Sequence, residues 1–219
     1  MILTVHQPEY LPYIGFFDRI SKADVFVILD NVQYQKKGFI NRNKIKTSDG
    51  WQWLTIPVKQ REGLKDINEV EISNQTDWKS RHWKALLYNY NKAPYFKKYS
   101  DFFEEVYKRN WDLLVDLNVY LIKNIIDMLG LKKEIKKSSS LNTKGRADDL
   151  LIDICKELGA DTYLSGPGGR GYMDLEKFKK QNISVVFQEF NHSVYVQQFP
   201  KKGFIPNLSI IDLLFNSKI

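Results

Sequence analysis

The chain has 219 residues, 43% of them hydrophobic and 14% aromatic, which is enough to bury one sizeable core and sets it apart from disordered chains. Its apolar runs, such as Val25–Leu29, fall far short of the roughly 20 residues a membrane-spanning helix needs, and Met1–Gln7 reaches polar residues too soon for a signal-peptide core, so a cytoplasmic protein without a membrane span is expected. The net charge of +7 suits an anionic ligand or partner, although the excess lysine is dispersed in pairs such as Lys97-Lys98 and Lys201-Lys202, and the single cysteine, Cys155, excludes an intramolecular disulfide or a multi-cysteine metal site.

Taken in chain order, Ile2–Val5 reads as a buried strand stopped by Gln7-Pro8. Pro12–Ala23 suits a helix opening at proline, with Ile14, Phe17 and Ile20 at three-residue steps. Val25–Leu29 is a continuous apolar strand, so the opening is a β-α-β unit and implies a parallel sheet covered on both faces. Asp30–Lys44 has no clean period and is expected to be a loop or lid. Trp51–Val58 and Val70–Ser73 read as strands. From Trp78 to Gly130 the pattern is helical, with Leu114, Leu117, Leu121, Ile125 and Met128 on one face. The α/β pattern then resumes: a helix over Arg146–Leu158, a strand at Thr162–Leu164, a glycine-rich turn, a helix from Leu175, a strand at Ile183–Gln188 and a final helix at Leu208–Phe215. The expected fold is therefore α/β with a mostly parallel sheet, Rossmann-like or nucleotidylyltransferase-like, in which residues 1–75 and 131–219 form the site-bearing domain and residues 76–130 a helical insertion.

Ligands of open α/β sheets bind beyond the carboxyl ends of the strands, which directs attention to four segments. His6 lies just past the first strand, and Gln7 and Tyr13 follow it into a helix whose positive end favours phosphate or carboxylate. Asp30 ends the second strand and opens a polar segment in which Gln33, Lys37, Asn41 and Arg42 supply cations and two-sided hydrogen bonding. Ser165, Gly166, Gly168, Gly169, Arg170 and Tyr172 form a glycine-rich turn between strand and helix, a candidate phosphate cradle with Arg170 as counter-charge. The literal Gly166-x-Gly168-x-x-Gly171 fingerprint is weak, because Pro167 removes a backbone donor. His192, with Tyr195 close behind it, follows the last strand; with His6 it is the candidate general base, because imidazole titrates near neutrality. His82 sits in an aromatic-rich helix as a packing or surface residue, and three histidines so widely spaced make no metal motif.

His6-Gln7-Pro8 with Tyr10, Pro12 and Gly15, Asp24-x-Phe26-Val27 to Asp30, Phe39-x-Asn41-Arg42, Tyr163-Leu164-Ser165-Gly166-x-Gly168-Gly169, His192-x-x-Tyr195 and the closing Phe204–Asn216 segment together resemble the WbqC-like protein family across essentially the whole chain. That family is associated with bacterial polysaccharide and O-antigen gene sets, and the resemblance implies work on sugar nucleotides. It supplies no catalytic residues. A fainter likeness is to nucleotidylyltransferases, but Pro12-Tyr13-Ile14-Gly15 stands where that superfamily's second histidine is expected.

The resulting expectation is an N-acyl or aminoacyl, possibly glycyl, transferase acting on a nucleotide-linked amino sugar. His6 or His192 is the expected base, Asp30 its orienting group and the glycine turn the pyrophosphate holder. The activated acyl donor is a thioester of coenzyme A or of an acyl or peptidyl carrier protein, or is made in place from ATP and magnesium. The alternatives are ATP-dependent nucleotidyl transfer or adenylate-forming ligation, and a non-catalytic nucleic-acid-binding module. No RNA- or DNA-binding signature is present to support the last.

Overall fold

The computed structural model describes residues 1–59 and 65–219. Among these, strands β1 (Ile2–His6), β2 (Val25–Ile28), β5 (Glu134–Lys137), β6 (Thr162–Ser165) and β7 (Ser184–Phe187) form one parallel sheet in the order β5-β2-β1-β6-β7. A separate antiparallel hairpin joins β3 (Arg42–Thr47) to β4 (Gly50–Thr55). The helices are α1 (Ile14–Ser21), α2 (Trp78–Tyr90), α3 (Phe96–Lys108), α4 (Leu114–Met128), α5 (Asp148–Glu157), α6 (Leu175–Lys180) and α7 (Ile210–Asn216). The protein is thus an α/β protein with a Rossmann-like parallel sheet.

Side chains alternate across the pleat, and each face of the sheet has its own core. Leu3, Val5, Val25 and Val27 pack with Leu150, Ile154 and Cys155 of α5 and Phe178 of α6. Burial pushes the Cys155 thiol up to about 12, which suits a packing residue. On the other face, Phe26 and Ile28 share one continuous cluster with Phe16, Phe17 and Ile20 of α1 and with residues of α2, α3, α4 and α7. The helices of residues 78–128 pack α2 on α3, α3 on α7 and α4 on the Ile67–Glu69 turn, and their apolar stripes join the cluster on this side of the sheet.

Three elements differ from the sequence expectation. Part of the expected lid is strand β3, which satisfies its backbone against β4 from Arg42↔Thr55 to Thr47↔Gly50. The expected strand at Val70–Ser73 is reduced to single bridges, Glu71 to Leu113 and Ile72 to Val58. Strand β5 was hidden by its composition: Glu-Ile-Lys-Lys carries one apolar residue, as suits an edge strand protected by charge. Among the described residues no helix is long and apolar enough to cross a membrane.

Candidate active site

In this sheet the chain steps from β1 to β2 on one side, whereas β6 pairs with β1 on the other. Connections leaving β1 and β6 diverge, and the crevice this creates at their carboxyl ends is where open α/β sheets bind ligands. A cavity of about 470 Å³ occupies that position, lined by His6 and Glu9 after β1, Tyr13 and Arg19 at α1, and Ser165, Gly166, Gly169 and Tyr172 after β6.

The loop from β1 to α1 is held from behind by side chains distant in sequence. Asn118 Nδ2, buried on α4, donates to the carbonyls of Pro8 at 2.8 Å and Ile40 at 2.7 Å. Asn43 Nδ2 donates to the carbonyls of Leu11 at 2.8 Å and Tyr10 at 3.2 Å. The Tyr10 hydroxyl donates to His82 Nδ1 at 3.0 Å and accepts from Tyr107 at 2.6 Å, while His82 Nε2 donates to the Thr55 carbonyl at 3.2 Å. These anchors hold buried Leu11 at φ 46°, a left-handed conformation that a branched side chain adopts only when its surroundings impose it. Glu9 lies in the middle of this clamped loop.

His6, Glu9 and Arg19 meet in the cavity. His6 Nδ1 donates to the Gln7 carbonyl at 2.8 Å, so the neutral ring turns its unprotonated Nε2 toward Glu9, 3.8 Å from Oε1. Burial, reinforced by the Arg19 charge, lowers the imidazole to about 3. Burial pushes the Glu9 carboxyl up to about 7, against the opposing pull of Arg19. Arg19 itself is only 7% exposed, its Nε has no hydrogen-bond partner, and desolvation lowers its affinity for its proton. Near neutral pH the cavity thus holds an unprotonated imidazole, a carboxyl poised between its two states and a buried cation.

The expected residues divide between several places. His6, Tyr13, Ser165, Gly166, Gly168, Gly169 and Tyr172 all line the cavity. His6, Asp30 and His192 do not share a cavity, which corrects the expectation that they meet. The Asp30 carboxylate, 1% exposed, accepts from the Ser139 amide at 2.9 Å, Ser139 Oγ at 2.7 Å and Ser138 Oγ at 3.1 Å, and so caps the turn after β5. His192 and Tyr195 line a second cavity of about 510 Å³ with Asp18 and Phe190. The Tyr195 hydroxyl is committed to Asp212 at 2.8 Å, where Tyr90 donates at 2.9 Å.

The expected cations and amides also have other roles. Arg170 is exposed and stacks over Phe187, 4.9 Å from the ring centroid, so it is not the counter-charge of the glycine turn. Arg42 lies over Trp53 at 4.2 Å and donates through Nε to the Gly38 carbonyl. Asn41 donates to the Ile56 carbonyl, Gln33 bridges Asp66 through its backbone, and Lys37 is an exposed residue at φ 67°. None of these, nor Gln7, lines the first cavity. Among the described residues no group of three or more His, Cys, Asp or Glu side chains could hold a metal ion.

Glu9 and Arg19 are the cavity-lining charged residues that the strand-end reading passes over. Arg19 had a signal: it falls three residues after Phe16 and four after Gly15, on the buried face of an otherwise apolar helix. A cation on that face must meet either a partner or a ligand.

These features define a doubly wound α/β protein with a cluster of acid–base groups at its topological switch point. The chain belongs to the WbqC-like protein family, whose model matches residues 7–219. It is 34% identical over 216 residues to the uncharacterized protein Rv1507c of Mycobacterium tuberculosis, an alignment covering 98% of this chain and 93% of that protein. No solved structure matches it.

Proposed function

We propose that the protein is an acid–base enzyme that transfers an acyl or aminoacyl group to the amine of a nucleotide-linked amino sugar. The observation that carries this reading is the Glu9 carboxyl, raised to about 7 and facing His6 Nε2 across the cavity. A general base works best with a pKa near the working pH, because it is then both available and strong enough to take the proton. In the proposed step the amine nitrogen attacks the acyl carbon, Glu9 takes the nitrogen's proton, and the donor's thiolate or phosphate departs. Neutral His6 lines the cavity beside the carboxyl, its unprotonated Nε2 3.8 Å from Oε1. Support for a sugar-nucleotide substrate comes from the cavity's volume of about 470 Å³ and its position at the switch point, where doubly wound sheets hold nucleotides.

The test begins with thermal shifts against UDP- and dTDP-linked amino sugars and ATP. It continues with mass-spectrometric detection of acylated sugar from thioester donors and from ATP plus an amino acid. Acylated product should form at a rate that rises with pH through an apparent pKa near 7, and Glu9→Gln should lower kcat by ~100-fold or more, the contribution typical of a general base. A thermal shift with ATP alone, accompanied by ATP–pyrophosphate exchange without sugar acylation, would sink the transferase reading in favour of an adenylate-forming ligase. So would a Glu9→Gln protein with unchanged turnover.

A further inference from the structure

A buried cation in a folded protein is normally paired, because an isolated charge taken out of water is strongly unfavourable. Arg19 departs from that rule. Its side chain is 93% buried by its 7% exposure, and among the described residues it makes no hydrogen bond or salt bridge. Glu9 stands in the same cavity and acts on it electrostatically, without reaching salt-bridge distance. The guanidinium lies against the main chain after β6, where a Cβ on Gly166 would meet Arg19 Nη1. Glycine at 166 therefore leaves the space that the guanidinium fills as it lines the cavity.

We infer that Arg19 is an oxyanion anchor: the cavity takes a ligand carrying a phosphate or carboxylate group, which pairs with the Arg19 guanidinium beside Gly166. A planar guanidinium offers two parallel N–H donors to two oxygens of such a group, and this geometry is stronger and more directional than a lysine contact. The anchor deepens the proposed function, on which it rests for the identity of the cavity, by naming the group its substrate must carry. Arg170, the exposed arginine of the same turn, takes no part.

Binding of simple anions tests the anchor without turnover, so its failure is separable from failure of the transfer reaction. Inorganic phosphate and acetate would be titrated into wild-type, R19M, G166A and R170M proteins, with chloride holding ionic strength constant and melting temperature and calorimetric affinity as readouts. At least one anion should bind the wild type and raise its melting temperature, and phosphate against acetate identifies which group the site prefers. R19M should weaken that binding by at least tenfold, yet melt no lower than wild type without added anion, because methionine keeps the buried stem and removes an unpaired charge. G166A should also weaken binding, and R170M should bind as wild type does. The inference is overturned if neither anion binds the wild type, if R19M binds as tightly as wild type, or if R19M is destabilised or fails to fold, since each means that Arg19 is serving the protein's own structure.

Discussion

The Glu9→Gln protein should melt at a higher temperature than wild type at pH 8.5 and at the same temperature at pH 4. In the unfolded chain this carboxyl titrates at its ordinary value of 4.5, whereas in the folded cavity burial raises it to about 7. Between those two values the folded state binds more protons than the unfolded state, so stability falls as pH rises through the interval and levels off above it. A shift of this size corresponds to about 3 kcal/mol at most, at 1.36 kcal/mol per unit. For a domain of this size that is roughly 2–4 °C per kcal/mol in melting temperature. Glutamine keeps the shape and carries no charge, so the difference between variant and wild type should open from nothing near pH 4.5 to its full value above pH 7. Scanning calorimetry across that range checks it. Two histidines, half-buried His6 and buried His82, act on the acid side. His6 and His82 titrate at about 3 and about 4 when folded, both lowered mainly by burial. As pH falls below 6.5 the unfolded chain takes up their protons first, and stability is lost until the folded values are passed. A residue whose removal stabilises the protein at the pH where it would act is the pattern expected of a site shaped for function at the expense of stability.

Replacing Asp30 by alanine should cost about 3 kcal/mol of stability and leave anion binding in the cavity intact wherever the protein is folded. The carboxylate is 1% exposed and accepts from the Ser138 hydroxyl and from the Ser139 amide and hydroxyl. Hydrogen bonds to a charged group are each worth roughly 1.5–3 kcal/mol, and donors left buried without a partner add their own desolvation cost, although such terms do not sum. Alanine also removes the link that holds the turn after β5 against the end of β2. Urea denaturation should show a lower midpoint at unchanged slope. A catalytic Asp30 would give the opposite pattern: a stable, folded protein that binds its ligand and does not turn over.

Why Asp30 and His192 were drawn toward the site while Glu9 and Arg19 were not follows from what a linear pattern can carry. The opening β-α-β unit was legible, because Val25–Leu29 is a continuous apolar run and the helix before it has a clear period. The rule that ligands gather beyond strand ends points to His6 and the turn at Ser165–Gly169, which line one cavity. It could not rank the ends of β1, β2, β6 and β7 against one another, because that requires strand order. Once β6 is known to pair with β1, the ends of those two strands face a common crevice. The end of β2 belongs instead to the neighbouring β5, whose charged sequence concealed it. His192 follows β7 by several residues, and the chain there leads to Tyr195, fastened to Asp212 on α7. The clamp made by Asn43 and Asn118 was out of reach for a related reason: each side chain acts on main-chain carbonyls 32 to 110 positions away.

A carboxyl-carbon NMR titration of glutamate-labelled protein tests most directly whether one carboxyl in the switch-point cavity is poised near neutral pH. One glutamate signal should titrate near pH 7, and that signal should be missing from the Glu9→Gln spectrum. If every glutamate titrates near 4.5, or if the signal near 7 survives in Glu9→Gln, Glu9 is not the poised group and the acid–base account of the cavity is wrong.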